Sequence, residues 1–457
     1  MKDLRTYLDA VRDEVLHIRK EVDPITQMGA LCSESERPIL FENVKGYPGW
    51  RVCDRLISNR KLLAAALGVE PKRVVPEVAR RLAQGPGETH RVETAPCKEV
   101  IWLGKEADLF RLPIAVHSKG DGGRYIGSGV HVTRDPDTGV QNECILRNQI
   151  RESHHTGFMM ARRHSFEHYK KYQARREPMP MAVVIGLHPA YEIAAVYSGR
   201  HTGCDEFALA GSLLGEPVEL VRCETSDIWV PAGAEIVIEG EVPPGVFEEE
   251  GPFGEFTGYM GKAGKRPVWD VKAITLRKNA IYRHLNASQF TDHQVLGAVS
   301  NEAELYMNLS RVYGNTEILD VFIPPWARFT ALVQMTPLYE GHAKAVLMAA
   351  LSMNMHQKEV IVVDEDVNIH DMREVIWALS MRVNPATDVL IIQGTRGHHL
   401  DLICPEVRHF PEDPLVNGAL GIDATKPPLS KPEARRRFEI VRPTGHGKVF
   451  LKDFIDN

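Results

Sequence analysis

The 457-residue sequence has few cysteines and no segment typical of a membrane anchor. Its seven cysteines are scattered, and no two have CxxC spacing, which argues against a disulfide framework or a cysteine zinc site. No apolar run approaches the roughly eighteen residues of a membrane-spanning helix, and residues 1–22 lack the apolar stretch of a secretory signal. We therefore expect a cytoplasmic protein with reduced thiols and no membrane partner.

A strong excess of either charge is also missing. The net charge of -6 and the pI near 6.4 argue against nucleic acid as the main partner. The composition, 43% hydrophobic and 25% charged, is that of an ordinary globular protein. Because 457 residues exceed what one hydrophobic core normally serves, we expect two or three domains.

Several familiar catalytic motifs are absent. The sequence has no GxGxxG leading from a strand into a helix, no GxxxxGKS/T, no GxSxG and no HExxH. These absences exclude the usual forms of a dinucleotide-binding fold, a phosphate-binding loop, a serine-hydrolase elbow and a zinc protease. Any catalytic site must therefore use less familiar combinations of polar residues.

The first part of the chain, residues 1–110, has the pattern of a small α/β domain. Asp3 can cap a helix whose apolar positions, from Leu4 to Ile18, recur every three or four residues. Residues 38–44 are typical of a strand, and two later segments are typical of helices that end near a glycine.

Residues 111–310 predict a β-rich central domain. Short apolar segments are separated here by Pro, Gly, Asp and Asn, as in a sandwich or barrel. The segments are 127–135, 142–149, 181–187, 192–197, 234–242 and 268–275.

Residues 311–457 alternate strand-like and helix-like segments in the order β-α-β-α-β. Helical patterns at 341–354 and 371–383 flank a strand of buried character at 360–364. This alternation is typical of a largely parallel sheet covered by helices, so we expect a third domain of α/β type. The tail after Gly421, rich in Lys, Pro and Arg, is expected to be irregular and to serve in oligomerisation.

The segment 142–165 concentrates polar side chains in a region that should be half buried. Asn142, His164 and the more distant Glu206 offer an amide oxygen, an imidazole and a carboxylate, a set that suits Mn²⁺ or Mg²⁺. Nearby arginines would hold a phosphate or a carboxylate through paired hydrogen bonds. The alternative is that His164 is an ordinary solvated histidine and that the arginines are surface charges; these arginines are Arg147, Arg162 and Arg163.

The segment EEEGPFGEFTGYMG, residues 248–261, combines four glutamates with a Gly-Pro-x-Gly turn. Proline fixes φ and glycine permits otherwise strained backbone, so Glu250 and Glu255 are held on either side of one bend. Two carboxylates brought together disfavour joint ionisation, which raises one pKa and allows a general acid near neutral pH. An arginine between them would keep the other carboxylate ionised. The alternative is an acidic surface loop.

Taken together, these segments resemble the UbiD family of reversible decarboxylases, which use prenylated flavin mononucleotide (prenylated FMN). The likeness covers nearly the whole chain and rests on the order of LFENVKGYPGWRV (40–52), NECILR (142–147), DEFALAGSLLGEPVELVRC (205–223), PAGAEIVIEGEVPPG (231–245), EGPFGEFTGY (250–259), YEGHAKAVLMAALS (339–352) and LGIDAT (420–425). It implies α/β plus β architecture: a small N-terminal α/β domain, a central split β-barrel that binds flavin and metal, and a C-terminal α/β domain with a largely parallel sheet.

The resemblance also implies which residues bind the cofactor. A divalent metal, Mn²⁺ or Mg²⁺, would be held by Asn142, His164 and Glu206 and would meet the cofactor phosphate, with K⁺ as a further candidate ion. Lys344 would contact the same phosphate. His168 lies close enough in sequence to compete with His164 as the ligand. The flavin would be lined by Ile145, Leu146, Arg147, Met160, Ala161, Arg162, Arg163 and Ser165.

The implied reaction is the loss of CO₂ from a carboxylic acid. The electron pair left on the carbon needs an electron sink, which no side chain provides and a flavin does. Glu255 would deliver the proton, Arg147 would hold the substrate carboxylate, and Glu250 would orient Arg147. Either Asp292 or His293 would act on a ring substituent. That favours an aromatic or heteroaromatic acid over an α,β-unsaturated acid of the cinnamic type.

Two further alternatives are a metal-dependent hydrolase, with Glu255 as base, and a catalytically silent subunit of a larger complex. The expected partners are a small aromatic acid, CO₂ and a flavin prenyltransferase that supplies the cofactor. Further copies of the chain would form a homodimer or a homohexamer.

Overall fold

The structure, a computed structural model, describes residues 1–160, 163–197, 205–287, 292–311, 317–353, 357–398, 400–404, 416–445 and 447–454. The helices, in chain order, are α1 (Leu4–Ala10), α2 (Met28–Ser33), α3 (Arg60–Leu67), α4 (Val74–Ala83), α5 (His164–Arg175), α6 (Pro189–Val196), α7 (Glu206–Leu214), α8 (Asp292–Leu309), α9 (His342–Ser352), α10 (Met372–Arg382) and α11 (Pro432–Arg436).

The strands belong to sheets in all three parts of the chain. They are β1 (Leu16–Ile18), β2 (Ile39–Phe41), β3 (Arg51–Asp54), β4 (Thr89–Val92), β5 (Val100–Leu103), β6 (Tyr125–Ile126), β7 (Val130–Arg134), β8 (Gln141–Ile145), β9 (Arg147–Glu152), β10 (His155–Met159), β11 (Met179–Ile185), β12 (Val218–Arg222), β13 (Trp229–Pro231), β14 (Ile236–Val242), β15 (Phe247–Glu250), β16 (Phe253–Gly254), β17 (Met260–Gly261), β18 (Gly264–Leu276), β19 (Ile281–Arg283), β20 (Ile318–Phe322), β21 (Thr330–Met335), β22 (Glu359–Asp364), β23 (Val389–Arg396) and β24 (Val416–Ala424).

The first helix begins where the sequence predicts but is shorter than predicted. The Asp3 carboxylate accepts the N–H of Thr6 at 2.9 Å and so caps α1. The helix ends at Ala10, and Leu16–Ile18 instead form β1, which pairs in parallel with β2. The apolar spacing reflects burial over the whole segment, because Val15 is buried although it lies outside the helix.

The Asp3 cap gives a first testable prediction. Asp3→Ala should destabilise α1 by about 1–2 kcal/mol, since it removes the cap and the 2.7 Å ion pair from Arg277. Asp3→Asn keeps a capping oxygen and should lose less of the stability of α1. Hydrogen exchange of a peptide spanning α1, followed by mass spectrometry, checks this. Equal protection in all three proteins would contradict the prediction.

The central sheet has the strand order β6-β9-β10-β18-β14-β11-β7-β8, and β5 and β15 also pair with β18. Strand β11 shows why its sequence is continuously apolar: Met181, Val183 and Ile185 face one buried cluster, and Ala182 and Val184 face the other. A strand buried on both faces needs apolar residues at every position.

Strands β8 and β9 are joined by Leu146 alone, yet they occupy distant places in the strand order. No ladder joins them in the described part of the chain, so this sheet is open and is not a closed barrel. The end of β8 at Ile145 explains how Asn142 and Arg147, five positions apart, belong to differently placed strands.

Residues 192–197, predicted as a strand, lie mainly in helix α6, so that prediction is wrong. Pro189 occupies the first turn, where a missing N–H costs nothing, and His188 Nδ1 accepts the N–H of Ala190 at 3.2 Å. A short apolar run of this kind fits a buried helix as well as a strand.

The C-terminal sheet has the order β20-β21-β22-β24-β23. Pairs β21–β22 and β22–β24 are parallel, but β20–β21 and β23–β24 are antiparallel. The prediction of a largely parallel sheet is therefore wrong at both edges. At the β23 edge the reason is β24, which inserts between β22 and β23 and extends three residues into the tail after Gly421 that was expected to be irregular.

Helices cover both faces of the C-terminal sheet, as expected. In β22, Val360 and Val362 pack in the cluster that contains residues of α9, and Ile361 and Val363 pack in the cluster that contains residues of α10. The domain bounds at 110 and 310 stay predictions. Among the described residues, no helix has both the length and the apolar character needed to cross a membrane.

Candidate active site

Arg147, the first residue of β9, lies between two carboxylates. Its Nε donates to Glu250 Oε1 at 2.9 Å and its Nη2 to Glu250 Oε2 at 3.3 Å, while its Nη1 donates to Glu255 Oε1. The Glu250 side chain is 1% exposed and that of Arg147 10%. The two glutamates of the Gly-Pro-Phe-Gly turn thus meet one arginine where little water screens their charges.

The turn between the glutamates is fixed by its backbone and by aromatic packing. Gly251 has a φ of +98°, which a residue with a side chain rarely adopts. The ring of Phe253 is buried, with its centroid 4.5 Å from that of Tyr125 and 4.6 Å from the guanidinium carbon of Arg147. This cation–π contact leaves the Arg147 side chain little freedom.

The surroundings raise the pKa values of both Glu255 and Arg147. Burial raises the pKa of Glu255, the positive charge of Arg147 opposes this, and the negative charges of Glu250 and Asp121 add to it. Burial acts to lower the pKa of Arg147, but its carboxylate partners outweigh that and raise it. Arg147 is therefore a fixed cation, and Glu255 holds a proton more readily than an exposed glutamate does.

The candidate metal ligands lie on three elements: Asn142 in β8, His164 at the start of α5 and Glu206 at the start of α7. Asn142 Oδ1 is 3.1 Å from His164 Nδ1, and Asn142 Nδ2 donates to Ser165 Oγ at 2.7 Å. Glu206 Oε2 accepts the N–H of Glu143, the residue after Asn142, at 2.7 Å. The structure therefore brings the donor set into one neighbourhood.

Glu143 is a buried carboxylate that the sequence interpretation overlooked. Its Oε2 accepts the N–H of Glu206 at 2.6 Å. Burial raises the pKa of Glu143, and the charges of Asp205 and Glu206 raise it further; burial also raises the pKa of Glu206. A bound cation would relieve this concentration of negative charge, so these residues fit a divalent metal.

Other flavin candidates surround the break between β8 and β9. Ile145 ends β8, and Leu146 and Met160 pack against the apolar cluster on one face of the central sheet. Two further candidates, Ala161 and Arg162, lie outside the described residues.

Positive charge from two parts of the chain meets near the start of α5. Burial lowers the pKa of Arg163, and the nearby charge of Arg396, at the end of β23, lowers it further. Two cations held this way would be stabilised by an anion such as phosphate. Lys344 is an exposed residue of α9 beside Asp423. No hydrogen bond or ion pair within the described ranges joins it to the candidate metal ligands.

The two candidates for the auxiliary acid have different surroundings. Asp292 Oδ2 accepts from Arg283 Nη2 at 2.6 Å and from the N–H of Leu56 at 3.1 Å. Arg283, fully buried, also pairs with Asp54 at 3.3 Å and Glu192 at 3.2 Å. Asp292 is thus part of a buried ionic network that holds α8 against the N-terminal part of the chain.

His293 has a freer side chain. Its Nδ1 is buried without a hydrogen-bond partner among the described residues. Burial and the nearby charge of Arg328 lower the pKa of His293 to about 4, so the imidazole is neutral at neutral pH. The guanidinium carbon of Arg328 is 5.8 Å from the ring of Phe256, which follows Glu255. Arg328 thus lies close both to His293 and to the residue that follows Glu255.

One buried cluster outside this region has metal-ligand chemistry. Cys32, Asp54 and His284 offer ligand atoms within 4.8 Å of one another. However, Asp54 already pairs with His284 at 2.6 Å and with Arg283 at 3.3 Å. The guanidinium would repel a cation, so the cluster is better explained as part of the ionic core.

The chain matches known proteins over almost its whole length. Family models of the 3-octaprenyl-4-hydroxybenzoate carboxy-lyase match as N-terminal domain at residues 9–82, Rift-related domain at 89–289 and C-terminal domain at 294–424. The UbiD-class enzyme HmfF from Pelotomaculum thermopropionicum, solved in complex with FMN, is 36% identical, with a TM-score of 0.92, and the match covers 99% of this chain and 100% of HmfF.

Two decarboxylases are also similar. The 3,4-dihydroxybenzoic acid decarboxylase of Enterobacter cloacae is 26% identical, with a TM-score of 0.89 and 99% of each chain covered. The vanillic acid decarboxylase of Sedimentibacter hydroxybenzoicus, in an open form, is 29% identical, with a TM-score of 0.86 and 99% of each chain covered.

The fold and these matches define a carboxy-lyase of three-part α/β and β architecture. The chain belongs to the UbiD family. The resemblance inferred from the sequence is thereby confirmed, and the enzyme class with it.

Proposed function

We propose that this protein catalyses the reversible, non-oxidative decarboxylation of an aromatic or heteroaromatic carboxylic acid with prenylated FMN. The observation that carries the proposal is Arg147, held between Glu250 and Glu255. The similar decarboxylases act on 3,4-dihydroxybenzoic and vanillic acids, which favours an aromatic acid over one of the cinnamic type.

Prenylated FMN, when bound, supplies the electron sink that loss of CO₂ from an aryl carbon requires. Within the chain, Arg147 binds the substrate carboxylate through its guanidinium. Glu250, almost fully buried, keeps Arg147 oriented. Glu255 then delivers the proton to the carbon that has lost CO₂, and it returns to the protonated state from solvent.

We place the cofactor phosphate near the start of α5. Asn142, His164 and Glu206 would hold Mn²⁺ or Mg²⁺, and K⁺ is a further candidate nearby. Arg163 would meet the phosphate, and the position of Arg396 supports this by adding a second cation. Lys344 stays a candidate for contact with the same phosphate.

We propose that the open central sheet is a split β-barrel that holds the flavin. The flavin-lining residues would be Ile145, Leu146, Arg147, Met160, Arg163 and Ser165 from the described chain, with Ala161 and Arg162. His293, which is neutral and whose Nδ1 has no hydrogen-bond partner among the described residues, is our choice for the group that contacts a ring substituent. Asp292 would support the fold through Arg283.

The proposed partners are a flavin prenyltransferase that supplies the cofactor, the aromatic acid, CO₂ and further copies of this chain. An evolved form of HmfF is dimeric. A homodimer or homohexamer is proposed here, in the cytoplasm.

The proposal is tested by releasing the cofactor from protein co-expressed with a flavin prenyltransferase. A mass one C5 isoprenoid unit above FMN is expected, followed by CO₂ release in a screen of aromatic acids. Folded, metal-loaded protein that carries no flavin from that host would overturn the proposal.

The metal ligands can be separated by a matched histidine pair. His164→Ala should lower Mn²⁺ affinity by more than the roughly 10- to 100-fold typical of residues around a metal site, because it removes a proposed ligand. His168→Ala should leave the bound metal in place, since His168 Nδ1 lies 3.0 Å from Thr133 Oγ1. Metal content by mass spectrometry after dialysis measures both. The reverse pattern would move the ligand assignment to His168.

A further inference from the structure

A glycine-rich loop, residues 118–123, packs against the turn that carries Glu255. Asp121 is its charged residue in contact with that turn: Asp121 Oδ1 accepts the N–H of Gly254 at 2.8 Å. Asp121 Oδ2 accepts the N–H of Ser118 at 2.8 Å. The carboxylate thus ties the residue immediately before Glu255 to the loop.

The two segments approach so closely that side chains are excluded between them. The N–H of Gly122 donates to Pro252 O at 2.8 Å. A Cβ on Gly122 would lie 2.5 Å from Gly251 O, and one on Gly254 would lie 2.8 Å from Ser118 Oγ. Glycine is therefore required at position 122, where the clash is with backbone, while a side chain at position 254 would displace the Ser118 hydroxyl.

Gln149 makes a second, uncharged link between the same segments. Its Nε2 donates to Gly122 O at 2.7 Å, and its Oε1 accepts the N–H of Gly251 at 3.1 Å. An uncharged side chain can therefore join the loop and the turn. The negative charge of Asp121 is not needed for that purpose alone.

The charge of Asp121 acts on Glu255. The charged groups that face Glu255 are Arg147 from β9, Glu250 from β15 and Asp121 from the loop. Burial raises the pKa of Glu255 most, and Asp121 adds to the increase. Burial raises the pKa of Asp121, while N–H bonds from Gly254, Ser118 and His117 and the positive charge of Arg147 act to lower it and so favour its ionised form.

We propose that Asp121 is a positioning residue that fixes the turn bearing Glu255 and places a negative charge beside that carboxyl. The proposal rests on the proposed role of Glu255 as proton donor. It adds a third carboxylate, outside the Arg147 contacts, that prepares Glu255 for its next proton transfer.

The test compares Asp121→Asn with Gln149→Met in the full chain loaded with cofactor. Asp121→Asn removes the charge but keeps one acceptor, while Gln149→Met removes uncharged links to the same segments and keeps the side-chain size. In Asp121→Asn, the high-pH limb of kcat/KM should move to lower pH, and activity on that limb should fall about three- to tenfold. Gln149→Met should lower the rate without moving the limb.

A second readout does not depend on decarboxylation. An infrared pH titration follows the carbonyl band of the protonated Glu255 carboxyl, assigned by its loss in Glu255→Gln. Its midpoint should be lower in Asp121→Asn than in the wild type and unchanged in Gln149→Met. An unchanged or higher midpoint in Asp121→Asn would overturn the proposal. A lowered midpoint in a protein that decarboxylates no acid would support the role of Asp121 while the proposed function fails.

Discussion

Glu255→Gln is expected to lower kcat for decarboxylation by about 10²- to 10⁴-fold, the range typical for loss of a general acid. The glutamine keeps an oxygen that can accept from Arg147 Nη1, so the turn and the substrate-binding arginine should stay in place. What is lost is the proton that Glu255 supplies. We therefore expect KM and bound flavin to change little while kcat falls.

The matched control is Glu249→Gln, which changes an exposed glutamate six positions earlier in the same segment. Surface substitutions of this kind rarely change the free energy of unfolding by more than about 0.5 kcal/mol. Steady-state decarboxylation and flavin content should be measured for both variants. A Glu255→Gln enzyme with wild-type kcat would show that the proton comes from elsewhere.

The pH dependence follows from the same residue. The pKa of Glu255 is raised by burial, and the reactive form is the protonated one. Activity in the direction of CO₂ release should therefore be full below that pKa and decline as the pH rises through it. The residual activity of Glu255→Gln should lack this decline.

Arg147→Met is expected to lower both the stability of the protein and its activity. Removal of the guanidinium leaves Glu250, 1% exposed, as an unpaired buried carboxylate, which should lower the free energy of unfolding by about 3–5 kcal/mol. It also removes the proposed binding group for the substrate carboxylate. Arg147→Lys restores the charge but not the forked contact to both glutamates, so it should recover stability better than activity.

A control for Arg147 lies four residues along the same strand. Arg151 pairs with Glu248 at 3.7 Å, and both side chains are more than a quarter exposed. Arg151→Met should therefore change stability by less than about 1 kcal/mol. Urea unfolding of Arg147→Met, Arg147→Lys and Arg151→Met measures the differences in the free energy of unfolding. The double variant Arg147→Met/Glu250→Gln should recover part of the stability lost in Arg147→Met. Equal stability of Arg147→Met and Arg151→Met would mean that the Arg147 network contributes little.

The sequence predicted local features well where one short-range signal dominates. Asp3 caps a helix because its side chain reaches an N–H three residues away, and no distant contact is needed. The turn between Glu250 and Glu255 is similar, since proline and glycine restrict the backbone themselves. By contrast, residues 192–197 were misassigned because a buried apolar run has no periodicity that separates strand from helix.

Pairing of distant segments was beyond the sequence. Strand β24 inserts between β22 and β23 through hydrogen bonds to residues far away in the chain. Its composition does not predict which strands it pairs with. The same limit applies to Asp292 and His293. Only the structure shows that one contacts Arg283 while the Nδ1 of the other has no partner among the described residues.

The sequence by itself determined the family, many of the local elements and the residue types available for chemistry. The tertiary structure decided which of those residues meet. Arg147 and Glu255 are 108 positions apart, and Asp121 and Gly254 are 133 apart. Such contacts form because burial and sheet pairing bring distant segments together, and the same burial changes the pKa of the groups that meet.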